Sequence, residues 1–240
     1  MNYRITGTGS CTPDIIKKNS DFLQNKFLDR DGSDIQSSNP EIIEKFKSIT
    51  GITERRYASD KLNCSDLATD AARNAIIDSK IDQETLDFII VAHNAGDISC
   101  NSGQVDTLPS IASKVKAKLK IKNPSCVAYD IICGCPGWVE GMIQAKSFIN
   151  SGMASKCLII GCDTLSRILD KNDRDSMIYA DGSGATILEK DNSYDGGILS
   201  HKSATFTYEG ENDFIFYGSS YDKDLSCLLY TSPSPRDDEL

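Results

Sequence analysis

Residues 129–138 read YDIICGCPGW. The segment continues an apolar run, Cys126 to Ile132, of a length suited to a buried strand. Pro136 suits the first turn of a helix, and the pattern that follows runs to about Asn150 before Ser151-Gly152. A strand therefore passes directly into a helix, with a cysteine-bearing turn between them. Unpaired N–H groups and the helix dipole favour an anion at such a start, and the thiolate is the nucleophilic form of cysteine. Cys135 is thus a candidate nucleophile, with a packed core cysteine as the alternative reading. Gly134 and Gly137 remove side chains that would crowd an entering substrate.

Working outward, further apolar runs read as buried strands: Tyr3 to Gly7, Phe88 to Ala92, Cys157 to Gly161 and Ala185 to Glu189. Helical patterns lie between them. Ser65 and Asp66 are N-cap candidates for a helix reaching about Ser79, with Leu67, Ala71, Ala75 and Ile76 on one face. Pro109-Ser110 opens another, carrying Ile111, Val115 and Leu119. Strands alternating with helices predict an α/β layered domain with a mostly parallel sheet. Residues 17 to 47 are polar and irregular. They read as an insertion or cap with a short helix near Ile42 to Phe46. No internal repeat is visible.

The 240 residues are 39% hydrophobic and 25% charged, ordinary proportions for a globular protein. The formal net charge of −9 argues against non-specific nucleic-acid binding. No apolar run approaches the roughly 18 residues a membrane helix needs. Met1 to Pro13 lacks the basic start and apolar stretch of a secretion signal, so a cytoplasmic location is expected. Nine scattered cysteines then read as free thiols, mostly small buried apolar residues, rather than a disulfide framework. With two histidines and no zinc-ribbon spacing, no metal site is expected.

From Met1 to about Gly210 the sequence resembles the β-ketoacyl-acyl carrier protein synthase III family of the thiolase superfamily. Five motifs carry the resemblance in order. Gly7-Thr8-Gly9-Ser10 with Pro13 matches the opening strand and turn. Thr50-Gly51-Ile52-Thr53-Glu54-Arg55-Arg56 matches a T-G-I-x-x-R segment. Asp130 to Trp138 matches the D-x-x-x-x-C-x-G-[FW] nucleophile segment, with the cysteine on Cys135 and not Cys133. Gly161 to Arg167 continues the pattern, and Asp181-Gly182-Ser183-Gly184-Ala185 matches a D-G-x-G-A loop. The implied fold is the N-terminal half, residues 1–226, of the duplicated, layered αβαβα thiolase-like architecture. The second half is absent.

The resemblance implies an acyltransferase of fatty-acid synthesis without a cofactor. Cys135 takes an acyl group from acyl-CoA or acyl-acyl carrier protein. Malonyl-acyl carrier protein then loses carbon dioxide and condenses with the acyl-enzyme. Cys133 is expected as a buried neighbour. The histidine and asparagine that assist decarboxylation belong to the second half, and neither His93 nor His201 falls on that motif. His93 is expected to be structural or to lie at a cleft edge, and His201 to be a surface strand residue. Arg174 falls on the arginine that stacks on the CoA adenine. Thr50 is a further substrate-binding expectation. A tryptophan and a second arginine of that site are replaced by Lys45 and Ile49, which leaves room for a carrier-protein donor. Leu108 sits where the family projects an apolar residue across a homodimer interface into the partner's acyl tunnel. Alternative readings are a non-condensing transferase to an alcohol or amine, a non-catalytic subunit (against which Cys135 argues), and an inactive fragment. In such a fragment the helix face of Trp138, Met142, Ala145 and Phe148 would lie open or find improper partners.

The end of the chain departs from this pattern. Residues 227–237 read CLLYTSPSPRD, with neither helical nor strand period, and resemble the translation of adapter DNA from sequencing libraries. Residues 227–240 are therefore expected to be a non-native tail without a packed role.

Overall fold

The computed structural model describes residues 3–29, 31–100 and 104–205. The tail at 227–240 lies outside them. In chain order the strands and α-helices are β1 (Tyr3–Cys11), β2 (Ile15–Lys18), α1 (Asn39–Thr50), β3 (Glu54–Tyr57), α2 (Cys64–Ser79), β4 (Phe88–His93), β5 (Asp97–Ile98), β6 (Val105–Asp106), α3 (Ile111–Lys118), β7 (Val127–Ile132), α4 (Gly137–Ser151), β8 (Lys156–Asp163) and β9 (Gly182–Lys190). The contacts group into two compact units. Of the described residues, the first comprises 3–15, 56–100, 104–164 and 181–202; the second comprises 16–29, 31–55, 165–180 and 203–205.

The first unit is built on a five-stranded sheet in the order β1-β9-β8-β4-β7. Strands β8, β4 and β7 run parallel, while β9 runs antiparallel to both β8 and β1. The sheet is therefore mixed, not mostly parallel. Parallel neighbours need a crossover, which α4 provides between β7 and β8. Between β8 and β9 the chain leaves for the second unit and returns without a crossover helix, so β9 enters reversed.

Helices cover both faces. Leu67, Ala68, Ala71, Ala72 and Ala75 of α2 are buried with Ile111 and Val115 of α3 against Ile89, Val91, Leu158, Ile160 and Ile187 of the sheet. Helix α2 starts one residue before the expected cap. Asn63 is the N-cap, and Asp66 closes a capping box by accepting from the Asn63 backbone N–H at 2.8 Å. Its alanines let it approach β1 closely. A Cβ on Gly7 would lie 2.4 Å from the Ala75 carbonyl oxygen, and one on Gly9 2.2 Å from that of Ala71. This explains the two glycines of the opening motif.

On the opposite face, Met142, Ala145 and Ile149 of α4 pack with Tyr3, Ile90, Cys157, Ile159 and Leu188. Phe88 stacks on Phe148 at 4.5 Å between ring centroids and meets Tyr129 edge-on at 6.5 Å. The expectation that Met142 and Ala145 would lie open is thus wrong: both are buried within this unit. Trp138 and Phe148 are half-buried. The face of α4 turned to the sheet needs no other cover, because its residues recur with the helical period and β4 and β8 lie beneath them. A groove of about 390 Å³ remains beside Trp138, lined also by Gly161, Gly184 and Thr186.

In the second unit, α1 covers twelve residues where a shorter helix was expected, and β2 pairs with β3. Ser38 and Glu41 form its capping box, and Gly51, at φ 71°, ends it in the left-handed conformation. Arg55 of the T-G-I-x-x-R segment is buried. Its guanidinium donates to the carbonyls of Met177 (3.0 Å) and Lys17 (3.2 Å) and to Asn19 Oδ1 (2.7 Å). It also lies over the rings of Phe22 and Phe46. A buried guanidinium needs such partners, so this motif arginine organises the unit.

The close approach of α2 to β1 gives a direct test. Gly9→Ala forces a methyl against a backbone carbonyl and should lower the urea-unfolding free energy by about 1–3 kcal/mol. An unchanged midpoint and slope would show that the helix can move away at no cost.

Candidate active site

Strand β7 ends at Ile132, and α4 begins at Gly137. The turn between them is made by Gly134, whose φ of 67° favours glycine, and is closed by the Gly137 N–H donating to the Gly134 carbonyl at 3.0 Å. Gly137 has a separate reason. A Cβ there would lie 2.9 Å from the Ala92 Cβ, so its absence lets α4 start directly over the end of β4. Both glycines therefore serve the turn and its packing before any substrate is considered. The N-cap residue of α4 is Pro136, whose side chain makes no capping hydrogen bond.

Cys135 is exposed on this turn. Cys133 is exposed as well, which corrects the expectation of a buried neighbour. It follows the last ladder position of β7, and β7 is an edge strand, so nothing in this unit covers it. The buried thiols differ. The Cys162 thiol and burial together hold the Cys64 thiol well above the ordinary cysteine range. Burial pushes Cys157 up to about 12 and also raises Cys126. Those thiols stay protonated at neutral pH and act as packing groups.

Five residues before Cys135, the Asp130 carboxylate receives three donors. The backbone N–H groups of Ile111 and Ala112, at the start of α3, donate to it at 2.6 and 2.8 Å. His93 Nε2 lies 3.0 Å from Asp130 Oδ2, and the Gly96 N–H donates to His93 Nδ1 at 2.9 Å. Since Nδ1 accepts, the proton sits on Nε2 and is donated to Asp130. Both ring nitrogens are occupied, and the ring is buried. His93 therefore has no free lone pair with which to accept a proton from Cys135. His201 is exposed and lies outside any strand, 3.5 Å from Lys146 Nζ.

The same edge of the sheet holds Asp163, which accepts from the Asn94 N–H (2.8 Å) and its side-chain amide (2.6 Å). Burial raises its pKa to about 6 against the pull of these bonds. Neither this pair nor the His93–Asp130 pair was anticipated from the sequence. The only available signal was a polar His-Asn step at the end of an apolar strand.

The other expected site residues divide between the units. Leu108, in the first, is 83% exposed in the loop ahead of α3. Thr50 and Arg174 belong to the second. The Thr50 hydroxyl donates to the Phe46 carbonyl (2.8 Å) and accepts from the Ile52 N–H (3.1 Å), so it finishes α1. Arg174 is exposed at the start of the 3₁₀ turn Arg174–Ile178. Among the described residues no group of three His, Cys, Asp or Glu could hold a metal ion, and no helix is long and apolar enough to cross a membrane.

A nucleophile-type cysteine between the edge strand β7 and a helix, in a mixed sheet covered on both faces, is the arrangement of a thiolase-like fold. Residues 129–206 match the family model for 3-oxoacyl-[acyl-carrier-protein] synthase III. A β-ketoacyl-[acyl-carrier-protein] synthase III of Vibrio vulnificus is 36% identical over 201 residues, 83% of this chain and 56% of that protein. One from Ehrlichia ruminantium is 34% identical over 95% of this chain and 60% of its own length. The crystal structure of the Aquifex aeolicus 3-oxoacyl-[acyl-carrier-protein] synthase III superposes with a TM-score of 0.64 at 30% identity, over 79% of this chain and 54% of that one. Over most of its length the chain is similar to members of the β-ketoacyl-acyl carrier protein synthase III family. It spans about half the length of the curated relatives it matches.

The buried carboxyl predicts a pH dependence. The folded pKa of Asp163, about 6, lies above the ~3.9 of an unfolded aspartate. The folded state then binds more protons between these values and gains stability as pH falls through 6. Wild type should gain about 1 kcal/mol over Asp163→Asn between pH 7 and pH 5, read from urea midpoints. A gain in the opposite direction would contradict the assignment.

Proposed function

We propose that this chain carries the nucleophile half of a decarboxylating condensing enzyme, with Cys135 as the acyl acceptor. The observation that carries the reading is the placement of Cys135: exposed on a tight strand-to-helix turn, at a helix start whose N-cap residue, Pro136, makes no side-chain cap. The first step is attack of the Cys135 thiolate on an acyl thioester, with CoA or carrier-protein thiolate leaving. The backbone N–H of Cys135 serves as one oxyanion donor. Malonyl-acyl carrier protein then loses carbon dioxide, and its carbanion attacks acyl-Cys135. The product is a β-ketoacyl thioester, and the Cys135 thiolate is released.

His93 does not complete this second step, because its ring is committed to Asp130 and Gly96. The decarboxylation groups are assigned to the second half of the parent protein. Arg174 is assigned to the nucleotide end of a CoA donor. Lys45 and Ile49, exposed on α1, leave a carrier-protein donor open. A homodimer is supported by β7. It pairs with β4 on one side, no described strand pairs with its other edge, and Val127 and Ile132 are 47% and 69% exposed. Such an apolar strand edge favours pairing with another copy.

The test is acylation followed by condensation. Incubation with an acyl-CoA, or with an acyl-acyl carrier protein, should add one acyl mass, mapped to Cys135 and lost in Cys135→Ala. Malonyl-acyl carrier protein should then yield β-ketoacyl product from the gene with its second half, and none from this chain. Acyl transfer to Cys133, or transfer that persists in Cys135→Ala, would overturn the reading.

A further inference from the structure

We propose that His93 is a positioning residue for Cys135. It holds the Asp130 carboxylate in the one place from which it fixes both the start of α3 and the end of β7. The proposal rests on the reading of Cys135 as the acyl acceptor and assigns His93 a role that needs no contact with substrate.

The argument begins with register. His93 is the last residue of β4 and lies opposite Ile132, the last residue of β7. Asp130 is two residues earlier on β7, so its side chain projects to the same face as that of Ile132. The His93 ring bridges this carboxylate to the Gly96 N–H that follows β4. Its tautomer is set by that N–H: Nδ1 must accept, so Nε2 must donate. On its other side Asp130 receives the first two N–H groups of α3. One imidazole thus ties the turn after β4 to the strand that leads into the Cys135 turn. Through the carboxylate it also ties that strand to the helix preceded by Leu108.

The consequence is geometric. Only Ile131, Ile132, Cys133 and Gly134 separate Asp130 from Cys135, and the turn is packed against Ala92 by the missing side chain of Gly137. If Asp130 loses the Nε2 donor, the carboxylate is free to rotate about its remaining bonds to α3, and the end of β7 keeps its backbone ladder to β4 but loses the side-chain tie to the turn that follows β4. Misplacement of a reacting group by about 1 Å can cost on the order of a hundredfold in rate. Cys133 lies between the anchor and Cys135 and shares its exposure, so it provides an internal reference within the same molecule.

The experiment measures iodoacetamide alkylation of Cys135 relative to Cys133 by peptide mass spectrometry, in wild type and in His93→Gln, His93→Asn and His93→Leu. Gln can place an amide nitrogen where Nε2 stands and donate to Asp130. Asn reaches only the position of Nδ1, and Leu reproduces neither. The expected result is a Cys135:Cys133 ratio in His93→Gln close to wild type, with a fall of about tenfold in His93→Leu and His93→Asn. Rescue by Gln and not by Asn is the signature of donation to Asp130, which a filled core position would not produce. A wild-type ratio in His93→Asn, or a ratio in folded His93→Gln as low as in His93→Leu, would overturn the proposal. Should His93→Leu fail to fold, the Gln and Asn pair decides by itself. Absence of any Cys135 preference in wild type would overturn the nucleophile reading, and the proposal with it, before a variant is made.

Discussion

The Asp130 carboxylate accepts three hydrogen bonds from two separate parts of the chain: the His93 imidazole at the end of β4, and the Ile111 and Ala112 N–H groups at the start of α3. Charge-assisted bonds of this kind are roughly twice as strong as neutral ones, and a half-buried carboxylate without them would be costly. The rest of the cysteine turn follows from this anchor. It ties the end of β7 to the turn after β4 and to the first turn of α3. Four residues later the chain must reverse through Gly134 and start α4 close over Ala92, which only glycine at position 137 allows. Cys135 is left at the apex, next to an N-cap residue, Pro136, whose side chain makes no cap.

The packing around this anchor uses small residues as spacers. Helix α2 lies so close to β1 that positions 7 and 9 admit no Cβ, and its own contact face is largely alanine. Helix α4 is seated by Gly137 and Gly141 on the opposite face, where a Cβ at 141 would lie 2.8 Å from Ile159. In the second unit the organising group is a cation: Arg55 satisfies three acceptors and two aromatic rings. The arginine of the T-G-I-x-x-R segment is thus a folding device.

Much of this was legible in the sequence. The five sheet strands were visible as apolar runs, most clearly β4 and β8, which are buried on both faces and carry no polar alternation to hide them. The turn at Cys135 was visible because glycine and proline punctuate it. What the sequence concealed depends on register. The antiparallel entry of β9 could not be read from its composition. The His93–Asp130 bond exists only because two parallel strands end at the same level, and no local pattern states that. The exposure of Cys133 and the burial of Met142 and Ala145 were misread for one shared reason. Both depend on what lies against them: nothing beyond the edge strand in the first case, and β4 and β8 beneath α4 in the second.

If Asp130 is the anchor, loosening it must release α3 and the cysteine turn together. The most direct measurement is amide hydrogen exchange in Asp130→Asn, followed at Ile111 and Ala112 and at residues 133–138. The account predicts faster exchange at Ile111 and Ala112 and, in the same variant, in the Cys135 turn, with β8 and β9 unchanged. Protection in the turn equal to wild type, while α3 alone loosens, would contradict the claim that one carboxylate sets both.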